Sequence, residues 1–319
     1  MSGAGRSRSC ARWVGERKGA VTHTFLQVLV SGILVGGLYG MFSSGLALVL
    51  GSTKVVNFAH GDFVTLGMYG AVQFVRFGLN PLESLVPIAL IMFVVGGAVY
   101  RVTLSRSVLE QQQSPGDKTG FSHVQLVITI SLSLVIENGL QVVYGPNSQS
   151  INGFLSSTLV IGGIYIPDTQ AVAFGIACVT FAVLYFVIHR TRQGKALQAI
   201  VDNLGAAALV GINAGRMYIA SFATGCALAA ISGVVLVTYY PAVPTTGLNL
   251  LTIAFVVIIL GGLGNTMGAF FSGIAIGVVQ QLTATYVNIG LENIGLFLVF
   301  IVAMLFFPRG IFARQGAAL

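Results

Sequence analysis

FLQVLVSGILVGGLYGMFSSGLALVL, residues 25–50, runs through GSTKVV (51–56) into NFAHGD (57–62) and resumes as FVTLGMYGAVQFV up to residue 75. The first run has about 26 residues, enough to cross the hydrocarbon core of a bilayer as a helix. It is too long for the apolar core of a signal peptide and is read as a retained first span. Between the runs, Asn57, His60 and Asp62 place an amide, an imidazole and a carboxylate within one short stretch. Polar groups at membrane depth are expensive, so the cluster marks either a functional site or a break in a span.

Composition extends this reading to the whole chain. Of 319 residues, 55% are hydrophobic and 8% charged, with mean hydropathy +0.89, whereas an ordinary soluble domain carries about 25% charged residues. The chain is therefore expected to be an all-α, polytopic protein of the lipid bilayer. Its 41 glycines suit helices that approach closely through small residues. The net charge of +7 sits in short segments between apolar runs, and is read as a topology signal. No basic stripe interleaved with aromatics is present, so nucleic acid is not an expected partner. Cys10, Cys178 and Cys226 lack any paired spacing, which supports neither a disulfide framework nor a metal site.

About eight to nine spans follow along the chain: 25–50, a polar-interrupted 55–75, 82–100, 124–144, 171–188, 217–239, 248–263, 268–286 and 294–307. Arg101, Arg106 and Lys118 fall in one connection, Arg190, Arg192, Lys195 and Arg216 in a second, and Arg309 and Arg314 in the tail. The positive-inside rule puts these three in the cytoplasm and residues 145–170 outside. Nine spans then leave the basic amino terminus outside, against the same rule. Either residues 1–22 are a dispensable extension, expected to be disordered, or the segment around Asn57–Asp62 re-enters instead of crossing. The main domain is taken as 23–312, with 313–319 as a cytoplasmic tail.

The stretch HRTRQGKALQAIVDNLGAAALVGINAGR, residues 189–216, is the longest polar connection on the cytoplasmic side. Ala199, Ile200, Leu204, Ala207, Ala208 and Val210 recur at helical spacing, with Gly205 and Gly211 as punctuation. Short amphipathic helices fit this pattern, either resting at the headgroups or docking into a groove on a partner.

Three regions carry a resemblance: TKVVNFAHGDFVTLGMYGA (53–71), TRQGKALQAIVDNLGAAALVGIN (191–213) and LGGLGNTMGAFFSGIAIG (260–277). They resemble the signature regions of the branched-chain amino acid ABC importer permeases of the LivH/LivM type, LivH more than LivM, over about residues 25–312. The resemblance implies a multi-pass permease subunit of the bacterial cytoplasmic membrane. It implies as partners a second homologous permease or a copy of itself, two cytoplasmic ATPase subunits, and an extracytoplasmic substrate-binding protein. No cofactor is expected on this chain, ATP being used by the partner subunits. The resemblance also implies that 189–216 is the ATPase-coupling loop, with Gly194, Ala206, Ala207, Gly211 and Ile212 at its small-residue and docking positions. Where the family shows an uncharged amide, this chain has Glu137.

The residues independently assign ATP hydrolysis elsewhere. A phosphate-binding loop needs G-x-x-x-x-G-K-[ST], and neither Gly194-Lys195-Ala196 nor Lys118-Thr119 has that frame. Gly261-Gly262-Leu263-Gly264 lacks the strand and soluble βαβ unit of a dinucleotide site, and reads as a tight cytoplasmic turn. For Asn57, His60 and Asp62, three roles stay open: lining a substrate path, bracing a helix break, or capping a restarted helix. Glu137 and Asn138 form a second polar position within a span and join them as pathway or gating candidates, or as half of a structural pair. No catalytic role is required. An intramembrane serine protease would need a G-x-S-x-G turn, which Ser43-Ser44 does not provide. A passive channel or ion-coupled carrier is the alternative of another class; the carrier would want broken helices in both halves, and only the first half shows a polar break. A permease for urea, short amides or another small polar solute is the alternative within the family.

Overall fold

The computed structural model describes residues 4–108, 123–151, 157–308 and 310–312, with side chains from His23 onward. Lys118 and the expected tail, 313–319, lie outside the described residues. In chain order the elements are α1 (Ala4–Thr53), α2 (His60–Arg76), α3 (Leu85–Val99, prolonged by a π-helical turn at Tyr100–Leu104) and α4 (His123–Tyr144). A hairpin of β1 (Thr158–Ile161) and β2 (Ile164–Pro167) follows, then α5 (Asp168–Arg190), α6 (Arg192–Asp202) and α7 (Leu204–Leu209). The chain continues with α8 (Ala214–Leu236), α9 (Thr246–Gly261), α10 (Thr266–Tyr286) and α11 (Glu292–Phe306). Where the sequence suggested disorder before residue 23, the helix of α1 already starts at Ala4.

Among the described residues, seven helices are long and apolar enough to cross a membrane: α1 from His23, α3, α4, α5, α8, α10 and the segment leading into α11. The other two expected spans are the shorter α2 and α9. The fold is thus the expected all-α bundle, apart from the small antiparallel hairpin, which pairs Thr158 with Pro167 and Ile161 with Ile164.

Small residues set the packing. α1 runs antiparallel to α10, with Gly36 so close to its neighbour that a Cβ there would stand 2.7 Å from Ile274 Cα. Contacts of this kind replace side-chain interdigitation by backbone-to-backbone van der Waals contact, the usual device where lipid offers no hydrophobic drive for helix association. α1 and α8 are consequently the most buried spans, whereas α4 and α11 present most of their surface outward.

Arg101, Arg190, Arg192 and Arg216 lie at one face, the side that the positive-inside rule assigns to the cytoplasm; the hairpin lies at the other, together with Arg76, whose Nη2 donates to Gln149 Oε1 at 2.8 Å. Tyr165 N–H donates to Gln27 Oε1 at 2.7 Å, which fastens the beginning of the α1 span to the hairpin on the outer side. On the cytoplasmic side, α6, α7, α8 and α10 each start with a side-chain cap. Thr191, Asn203, Asn213 and Asn265 accept from the N–H three residues on, at 3.1, 3.0, 3.1 and 3.1 Å. Each such cap is worth about 1 kcal/mol.

Candidate functional site

The chain does not return through the membrane as a helix after α1. Lys54 N–H bonds Leu50 O at 3.0 Å with Lys54 at φ 59°, a left-handed cap that ends α1. Residues 54–59 then climb back along the bundle without helical structure until α2 begins at His60. The depth of that restart is fixed by His60 Nε2, 2.9 Å from Phe42 O. Phe42 lies eleven residues before Thr53, about 16 Å into the bundle at 1.5 Å per residue. Segment 55–75 therefore crosses as an extended linker followed by a half-length helix; it does not re-enter. Of the two explanations for the topology conflict, re-entry around Asn57–Asp62 is thereby set aside.

A second break mirrors the first, and the sequence did not mark it. After α8 the chain turns at Val237–Thr245 and α9 begins at Thr246, at the depth of α2's own start. Gly61 packs against the Gly247 carbonyl, with Leu251 Cβ 3.0 Å from where a Gly61 Cβ would stand. Phe58 of the linker meets Phe255 of α9 edge-on, ring centroids 5.2 Å apart. From this junction α2 runs outward and α9 inward, so two helix N-termini with their positive dipole ends meet inside the bundle. Neither has a side-chain cap, in contrast to the cytoplasmic helix starts. Each half of the chain thus holds a broken span, as an ion-coupled carrier would also require.

The polar cluster divides into two functions. Asn57 Oδ1 accepts from Ala59 N–H at 3.1 Å, closing a local turn. His60 must carry its proton on Nε2, because the Phe42 carbonyl can only accept. These two fully buried side chains brace the break, and their remaining atoms, Asn57 Nδ2 and His60 Nδ1, have no protein partner. Asp62 points elsewhere. It lies against Gly247 at the start of α9 and beside Ser133 and Glu137 of α4. Neither α4 nor α9 contains a Lys or Arg.

Glu137 is half-buried on the side of α4 that faces this group. Asn138 does not join it: its Nδ2 donates to Leu134 O at 2.7 Å on the exposed face of the helix. The amide is 100° further round the helix than Glu137, which adjacency in sequence conceals. Ser133 and Gly247, absent from the sequence reading, complete the group. Ser133 was legible one helical turn before Glu137. Gly247 gave no signal beyond being one of many glycines.

The cytoplasmic connection forms the second candidate surface. α6 and α7 are short helices, as expected, and α7 ends in a Schellman arrangement: Gly211 at φ 82°, its N–H on Ala208 O at 3.0 Å, and Ile212 N–H on Ala207 O at 3.0 Å. Ala207 is buried and Ile212 packs on the core, so these two anchor the loop, while Ala206 and Gly211 are exposed. Gly194 sits instead in the elbow between α5 and α6, where a Cβ would run into the carbonyls of Val187 and Ile188. The most prominent side chains are Leu209, 90% exposed, and Val210, 75% exposed, at the tip of α7.

Comparison with known proteins agrees with this architecture. The high-affinity branched-chain amino acid transport system permease LivH of Salmonella typhimurium is 25% identical over 300 residues, covering 91% of this chain and 96% of LivH. BraD of Pseudomonas aeruginosa, a permease of the same description, is 28% identical over 297 residues, with the same coverage. The ribose import permease RbsC of Escherichia coli is 25% identical over 301 residues, 87% of this chain and 88% of its own length. No solved structure matches the chain. A profile of the branched-chain amino acid transport system permease component matches residues 28–307, from the first span through α11 and across both breaks; to that family of membrane permeases the chain belongs.

Proposed function

We propose that this chain is the membrane-spanning half-channel of an importer for branched-chain or similar hydrophobic amino acids. It would be paired with a second permease, or a second copy, and driven by two cytoplasmic ATPase subunits. The observation that carries the proposal is the α7 tip. Leu209 and Val210 stand almost fully exposed on a capped, rigid turn in a chain that has no phosphate-binding loop of its own. An apolar knuckle of that kind fits a groove on a partner, and α6 and α7 connect it directly to α5 and α8. Motion of the ATPases would reach the half-helix junction through α8, which packs on α2 at Gly67 and Gly233. Asp62, Ser133 and Glu137 would line the path, and an extracytoplasmic binding protein would deliver substrate at the outer face.

A second reading, a permease for a small polar solute, draws support from the two carboxylates of the junction and from the likeness to a ribose permease. Both readings are tested by uptake of labelled leucine, isoleucine, valine, ribose and urea in cells expressing the chain with its partner subunits. Leucine uptake that disappears in Leu209→Asp at unchanged membrane abundance is the expected result. Normal uptake by Leu209→Asp would refute the docking role, and uptake of ribose or urea but not of leucine would favour the second reading.

A further inference from the structure

Along α4, Gln125, Thr129, Ser133, Glu137 and Gln141 follow one another at four-residue intervals. Residues so spaced form a row inclined to the helix axis, so that one end of the row faces a packed neighbour and the other emerges from it. Burial follows that incline. Gln125, Thr129 and Ser133 are 2%, 0% and 5% exposed, Glu137 is half-buried, and Gln141 is exposed near the outer end.

The inner rungs press against the unwound linker. Thr129 Oγ1 lies 3.3 Å from Val56 O, a carbonyl that has no helix to satisfy it. Ser133, one turn further out, meets Asp62 at the half-helix junction. Non-helical backbone at membrane depth is tolerated only where protein buries it or where it lines a water-filled cavity. In this structure Thr129 of α4 closes over the linker at the Val56 carbonyl, while Phe58 packs on α9. Parting α4 from the linker would expose a wall of linker carbonyls opposite a row of hydroxyls, amides and a carboxylate.

The geometry points to this slanted row of α4 as the track along which substrate crosses, with the contact between Thr129 and the Val56 carbonyl as its inner gate. The structure is then the state closed at Gln125 and Thr129. This inference rests on the permease reading, and the test separates the two. In a chain whose native cysteines are replaced by serine, single cysteines are placed at Gln125, Thr129, Gln141 and, as a control on the opposite face of α4, Val135. The complete transporter in membranes is treated with a charged, membrane-impermeant methanethiosulfonate, at rest and during ATP-driven turnover with leucine. Gln141→Cys is expected to react at rest at least about tenfold faster than Val135→Cys, since lipid excludes a charged reagent. Gln125→Cys and Thr129→Cys are expected to be inert at rest and to react during turnover. Inert inner positions during turnover, or equal rates at residues 135 and 141, would overturn the track. Should Gln125→Cys fail to insert, Thr129→Cys decides alone. Failure of the permease reading shows differently, as absence of uptake in the cysteine-free parent.

Discussion

Alanine at Gly61 and alanine at Gly70, about two and a half turns apart on α2, should differ in their effect on stability. At Gly61 an added Cβ would meet the Gly247 carbonyl, its carbon 2.8 Å away, and Leu251 Cβ at 3.0 Å. Carbon atoms rest about 3.5–4.0 Å apart, so α2 and α9 would have to separate by about 1 Å. Overpacking of this kind costs about 1–3 kcal/mol, against a helix-propensity gain of up to about 1 kcal/mol for replacing glycine. The net lies between about zero and a loss of about 2 kcal/mol. At Gly70 the same methyl would meet only Ile88 side-chain atoms, at 3.5, 3.6 and 3.9 Å. That is ordinary contact, so the propensity gain of about 0.5–1 kcal/mol stands. Because the propensity gain is common to both, the two variants should differ by the overpacking cost, about 1–3 kcal/mol, a gap of roughly 2–5 °C in unfolding temperature for a chain of this length. Thermal unfolding in detergent, read by a thiol-reactive dye on the fully buried Cys226 with Cys10 and Cys178 replaced by serine, measures the gap. Gly61→Ala melting at or above Gly70→Ala would refute the account of the junction as a backbone contact.

Three further outcomes are expected. Gly194→Ala should displace α6 from the end of α5, because a Cβ would stand 2.6 Å from the Ile188 carbonyl carbon; uptake should fall while membrane abundance holds. Asn203→Ala removes the 3.0 Å cap of α7, a loss of about 1 kcal/mol confined to the loop, and co-purification of the ATPase subunits should weaken. Glu137→Gln keeps the shape and removes the charge beside Asp62, so KM for an amino-acid substrate should rise; unchanged uptake kinetics would argue against contact with substrate.

Much of the architecture could be read from composition and periodicity, because membrane helices announce themselves by length and by absence of charge. The first break was equally plain, since Asn57, His60 and Asp62 are polar in an apolar setting. The second was hidden. Its turn, Val237–Thr245, is punctuated by Pro241 and Pro244 like any loop, and its contact surface at Gly247 is backbone, which leaves no chemical trace in sequence. Neighbours in sequence also misled at Glu137-Asn138, where one helical step separates a side chain facing the junction from one facing outward. In the cytoplasmic loop the small residues were legible, but their tasks were not. Gly194 is small because two carbonyls crowd it, Gly211 is glycine because φ is positive there, and the exposed tip is formed by the large residues Leu209 and Val210.

The glycine-lined crossings of α1 with α10, of α2 with α8 and of α2 with α9 leave no side-chain layer to shear. Helices locked at backbone distance move together or not at all, so these five behave as one body. The more loosely held α4 and α11 ride on its rim, and α4 is the one that closes over the unwound linker at Val56. A displacement passed to α8 would carry the junction with it as a unit, and the relative movement would fall at the boundary with α4.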